Sequence, residues 1–244
     1  MKISLATAFK LSVYALSNAA IALVALAGNA ALAQNPQLEE KVAAFKQAQA
    51  VNKQKLAQYT WQETETIALK GEVKDTKVYQ VQMGPGGQQK TEVSNEPAQS
   101  AGGREGRLKK HVIEKKKEEF QEYGQQIGAL AKQYTQPDPD RLAQAKQQGN
   151  ISLQPVGNGV VNLIIKNYVK PNDSVTLAID GQTKQLASVH VDSYLDDPKD
   201  AVTISAQFAQ LPDGTNHVAS TQINGVSKQL VVTDQNSNYQ PLRQ

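Results

Sequence analysis

The chain contains no cysteine. That excludes disulfides, thiolate metal ligands and a thiol nucleophile, and it excludes anchoring through a lipid-modified N-terminal cysteine. Tryptophan and histidine are scarce. There is one Trp, and the three histidines lie far apart at His111, His190 and His217. No Gly-x-Ser-x-Gly elbow, His-Glu-x-x-His pair or phosphate-cradling glycine loop occurs. Gly84-Pro85-Gly86-Gly87 lacks the Lys-Ser/Thr that a phosphate loop needs. An excess of one charge sign is missing too. The formal charge of +3 in 244 residues exerts no global pull toward nucleic acid or acidic lipid.

What is present begins with an export signal. Lys2 and Lys10 make a basic start, and no acidic residue precedes Glu39. Ala19 to Ala27 is unbroken and apolar, and Ala31-Leu32-Ala33 precedes Gln34. This is the pattern of a cleavable secretory signal, with cleavage expected between Ala33 and Gln34. Ser12, Ser17, Asn18, Gly28 and Asn29 interrupt the segment. A membrane span needs about 20 consecutive apolar residues, and no later stretch supplies them. Residues 1–33 are therefore expected to be removed, leaving 211 of the 244 residues. A chain of that length buries a sufficient core without disulfides. Periplasm or medium is the expected location, with no transmembrane segment in the mature chain and no nucleic-acid partner.

Along the mature chain the periodicity changes twice. Gln37 to Gln58 reads as a helix, with Leu38, Val42, Phe45, Leu56 and Tyr59 on one stripe. Tyr59–Leu69 and Thr76–Met83 read as strands, and Gln88–Val93 as a short third. Ser94 to Gly106 is rich in Gly, Ser, Ala and Pro without periodicity and reads as a flexible loop. Arg107 to Gln133 reads as a long helix, stopped by Pro137-Asp138-Pro139. Asp140 to Gln148 reads as a short one, with Asp138 or Asp140 as cap. From Ile151 onward the pattern is antiparallel. Seven strands are expected, the last from Val226 to Thr233, with tight hairpins at Asp180-Gly181 and Asn224-Gly225. One face of this meander needs a cover, and the helices are available. A single α+β domain over residues 34–244 is expected, with 107–148 as a helical insertion.

Three groups are candidates for function. Trp61, Tyr79 and Phe208 are aromatic residues on strands, suited to an apolar slot although also natural core residues. Arg104 to Lys117 is the densest basic run, with Lys109, Lys110 and Lys115 able to face an anionic envelope component or headgroup. As a plain solvated helix start it is balanced by Glu118, Glu119 and Glu122. His190 with Asp192, Asp196 and Asp197 is the nearest thing to a metal cluster, but strand ends carry such residues as a wet face, and no metal or cofactor is expected.

The chain resembles an uncharacterised family of exported bacterial proteins. Tyr59-Thr60-Trp61, Gly71-Glu72-Val73-Lys74, Tyr79-Gln80-Val81 and Lys115-Lys116-Lys117-Glu118-Glu119 carry the resemblance. So do Pro137-Asp138-Pro139, Tyr194-Leu195-Asp196, Leu211-Pro212-Asp213-Gly214-Thr215 and Asn236-Ser237-Asn238-Tyr239. The order of elements also looks like the periplasmic lipoprotein-carrier fold, the outer-membrane lipoprotein-sorting architecture. That resemblance implies a curved antiparallel sheet, an open half-barrel, with helices on one face and a lipid or acyl chain between them. It implies a non-enzymatic binding or carrier protein for an apolar or amphiphilic ligand, held near Trp61, Tyr79 and Phe208. The alternative expectation is an envelope interaction or scaffold protein using the basic helix.

Overall fold

A computed structural model describes residues 36–84, 87–97, 107–135 and 138–242. Side chains are described from residue 43, and not at 95–97 or 107–117. The expected signal segment and its cleavage point at Ala33 and Gln34 lie outside these residues.

Helix α1 (Pro36–Leu56) leads into strands β1 (Tyr59–Leu69), β2 (Glu72–Gly84) and β3 (Gly87–Pro97). Helices α2 (Arg107–Thr135) and α3 (Pro139–Gln147) follow. Then come β4 (Ile151–Gly157), β5 (Val160–Lys166), β6 (Ser174–Asp180), β7 (Gln185–Tyr194), β8 (Ala201–Gln210), β9 (Asn216–Gly225) and β10 (Leu230–Pro241). All ten strands form one antiparallel sheet in the order β3-β2-β1-β10-β9-β8-β7-β6-β5-β4. It is a curved, open sheet with β3 and β4 as its edges.

The inner face is apolar across most of its width. One row of register partners runs Ile67, Val232, Ile223, Ile204, Val191, Val175, Ile165 and Ile151. All but Ile151 are buried. β-Branched side chains tile a pleated face well, so this row sets the register of the meander. Helix α2 covers it with Tyr123, Ile127, Leu130, Ala131 and Tyr134, one stripe at helical spacing. Tyr134 Oη donates to Asp173 Oδ2 at 2.6 Å and lies 2.7 Å from Ser193 Oγ, tying the helix to the meander. Helix α1 reaches the same core through Phe45, and its Asn52 exchanges two hydrogen bonds with the Asn216 backbone. Asp138 caps α3, accepting from the Asp140 and Arg141 amides.

Several boundaries differ from the sequence reading: β2 begins at Glu72 rather than Thr76, and Asp180 lies in β6, which residues 181–184 join to β7. Gly225 is not in the turn; β9 and β10 are joined by residues 226–229, with Gln229 at φ 51°. A Cβ on Gly225 would lie 2.4 Å from Ile127 Cδ1 and 2.7 Å from Tyr123 Oη. The glycine lets α2 approach the sheet. Strand β3 extends through Pro97, four residues into the expected loop, because its ladder with β2 satisfies the backbone. Pro is tolerated there because β3 is an edge. Strand β10 runs on to Pro241, eight residues past Thr233, because β1 supplies its partner. Its polar end, Asp234 to Gln240, carries no apolar alternation to announce a strand.

Candidate functional site

On β1 the inward positions are Trp61, Glu63, Glu65 and Ile67, all buried. Ile67 joins the main core. Trp61 belongs to a second, smaller cluster with Leu56 and Val81, against which Tyr79, Met83 and Tyr239 pack. Between the two clusters lies a belt of charge. Its register partners are Lys77, Glu65, Asp234 and Thr221 in one row, and Glu92, Tyr79, Glu63 and Asn236 in the next. Glu63 is 0% exposed and Asp234 8% exposed.

The belt is partly neutralised from within. Lys90 of edge strand β3 pairs with Glu63 Oε1 and lies 5.9 Å from the Tyr79 ring centroid. Lys77 lies 3.7 Å from Glu92. Thr221 donates to Asp234 Oδ2 at 3.0 Å. Glu63 Oε2 and Asp234 Oδ1 are buried and accept no hydrogen bond. Burial pushes the Glu65 carboxyl up to about 8, and the facing Asp234 charge adds to the push. Burial and the Glu63 charge push Asp234 up to about 7. Both shifts favour the protonated carboxyl, because burial penalises its charge.

Trp61 sits at the rim of the belt. Its ring stacks on Tyr239 with centroids 5.3 Å apart, and its Nε1–H donates to Asn236 Oδ1 at 3.2 Å. The β1–β10 register slips between Thr60 and Gln62, opposite that stack. Such an irregularity re-aims a side chain without ending the strand. His217 lies 4.2 Å from the Tyr239 ring, and burial holds its imidazole below the usual histidine range.

The expected aromatic trio divides between the two clusters. Trp61 and Tyr79 share the smaller one, while Phe208 packs on the main core and pairs across the sheet with Val218. Lys109, Lys110 and Lys115 lie on α2, with their side chains outside the described residues. His190 is exposed and bonded to Asp192 at 3.1 Å. No group of three or more His, Cys, Asp or Glu among the described residues is placed to hold a metal. A surface groove of about 340 Å³ lies elsewhere, where Ala48, Val51 and Lys55 of α1 face Gln185 and Gly214.

The charged belt was missed by sequence reading, although Trp-x-Glu-x-Glu-x-Ile in β1 contained it. If Trp61 and Ile67 face inward, a period of two places Glu63 and Glu65 there as well. Asp234 carried no such signal, because its strand was not visible.

The fold and site define a protein built on an open antiparallel sheet, helix-covered on one face, with buried charge beside an aromatic cluster. No protein-family profile matches the chain, and no curated protein matches it. Among solved structures it is similar to a DUF1329 family protein from Desulfovibrio piger. Identity is 12% over 82% of this chain and 92% of that one, with a TM-score of 0.31. It is also similar to a LolA superfamily protein from Nitrosomonas europaea. There identity is 10% over 81% of this chain and 94% of the other, with a TM-score of 0.29. Similarities of this size assign neither a ligand nor an activity. Among the described residues no helix is long and apolar enough to cross a membrane.

Proposed function

We propose that this chain is an exported, single-domain, non-enzymatic binding protein for an apolar or amphiphilic ligand, a lipid or acyl chain in the first instance. One observation carries the proposal: beside the main core the inner face has a second apolar cluster, in which Tyr79, Met83 and Tyr239 are only partly buried around the buried Trp61. The main core is closed by Tyr123, Ile127 and Tyr134 of α2, so a chain lying beneath that helix would have to displace it. At the Trp61 end, an apolar chain meets aromatic rings and a thioether, soft groups that adapt to irregular shapes. The basic start of α2, with Lys109, Lys110 and Lys115, is the proposed partner of an anionic headgroup. Phe208 contributes from the main-core side. Export through the Ala33–Gln34 cleavage belongs to the same proposal.

The chain contains a single tryptophan, so its fluorescence reports on this cluster alone. Protein purified from cells is extracted with organic solvent, and the extract is analysed by mass spectrometry beside that of Trp61→Ala. Lipid in the wild-type extract, depleted in the variant, is the expected result. A clean extract, with no change in Trp61 emission on titration with fatty acid or phospholipid vesicles, overturns it. The filled core beneath α2 favours one second reading, an envelope scaffold that uses the basic helix with the sheet purely structural. Vesicle co-sedimentation lost on charge reversal at Lys109, Lys110 and Lys115, together with a clean extract, is its signature.

A further inference from the structure

The N-terminal strands β3, β2 and β1 join the rest of the sheet through one ladder, β1 with β10. The buried carboxyls sit in that seam. Glu65 and Asp234 are direct cross-strand partners, and Glu63 is one inward position along from Glu65. Like charges directly opposite each other destabilise a strand pair. The nearby cations are already engaged, Lys90 with Glu63 and Lys77 with Glu92. Among the described residues neither Glu65 nor Asp234 forms an ion pair. Two buried oxygens, Glu63 Oε2 and Asp234 Oδ1, lack any donor. A buried acceptor without a partner costs free energy, and a proton on Asp234 supplies a donor among these acceptors.

We infer that the β1–β10 seam is a proton-controlled latch: with Glu65 and Asp234 protonated the N-terminal strands stay zipped to the meander, and loss of those protons loosens the seam around Trp61. The latch needs no ligand and stands apart from the binding proposal. Trp61 is its natural reporter, because its ring and its Nε1–H both contact β10, through Tyr239 and Asn236.

The direction follows from linkage. In the unfolded chain both carboxyls titrate near 4. Folded, burial lifts Glu65 to about 8 and Asp234 to about 7. Between those limits the folded state binds more protons, so stability falls as pH rises. Tyr79, Tyr239 and His217 also flank the seam. Burial lifts the Tyr79 and Tyr239 hydroxyls further above their usual range. His217, whose imidazole burial holds low, acts in the opposite direction: its contribution is lost as pH falls.

The test follows the thermal midpoint and Trp61 emission of the purified full chain from pH 5.5 to 8.5. A chain carrying both Glu65→Gln and Asp234→Asn runs beside it. In the wild type the midpoint is expected to fall by about 5 °C or more across the range, with emission shifting to the red while far-UV circular dichroism holds. The double variant is expected to be flat in both. A wild-type midpoint and emission independent of pH, or a double variant that keeps the wild-type profile, overturns the latch. If the double variant does not fold, carbon-13 titration of the wild-type carboxyls decides. A midpoint above about 6 assigned to Glu65 or Asp234 supports the latch, and neither of them above that value overturns it.

Discussion

Two halves of one sheet face solve the burial problem differently. From β5 to β8 the inner face is mainly aliphatic, covered by α2. On β1, β2, β3 and β10 the same face carries Glu63, Glu65, Asp234, Lys77 and Lys90. The row Lys77, Glu65, Asp234, Thr221, Ala206, Val189, Leu177 and Leu163 crosses from one regime to the other. The apolar half gains from area removed from water. In the charged half, desolvation opposes the ion pairs, and replacing buried charge with apolar residues is often neutral or stabilising. Charge kept at such cost marks the N-terminal half as the place to look for function, by binding or by titration.

Three substitutions sharpen that contrast, from the largest expected effect down. Ile204→Ala removes a fully buried side chain from the centre of the aliphatic row. It should lower stability by about 2–5 kcal/mol in chemical denaturation. A loss under about 1 kcal/mol would mean that the row is not the stabilising centre. Replacing Glu63 and Lys90 together by Leu removes the pair across the belt. The product should be as stable as wild type or more stable, by up to about 2 kcal/mol, while either single substitution destabilises. A double variant much weaker than both singles would show that the charge is structural, and the two halves would not differ in kind. Thr221→Val removes the one hydroxyl that donates to Asp234 among the described residues, at the border of the two regimes. It should cost about 1 kcal/mol at pH 8 and less at pH 5.5, where a protonated Asp234 depends less on that donor. Equal cost at both values would place Asp234 outside the titrating group.

Much of the secondary structure was legible because it repeats. The long helix from Arg107 and the antiparallel pattern from Ile151 onward were both visible from their periods. A cap at Asp138 or Asp140 was visible for the same local reason, and the structure uses Asp138. Illegible parts were those whose partner lies far along the chain. The end of β10 has a strand's hydrogen bonds without a strand's composition, because β1 supplies its ladder from some 175 residues away, as in the Trp61–Asn236 contact. Gly225 looked like a turn residue, and the helix above it was what required a glycine. Phe208 looked like a companion of Trp61, and sheet order put the two in different clusters.

By itself, the sequence determined the local elements, the absence of cysteine chemistry and the aliphatic face of the meander. Each of these is a property of neighbouring residues and their period. Tertiary structure alone decided that the last strand closes onto the first. That pairing sets Asp234 against Glu65 and leaves two carboxylate oxygens without donors. It also lays Tyr239 on Trp61. The reason is physical: the ionisation of a carboxyl depends on what surrounds it, and here its surroundings come from the opposite end of the chain.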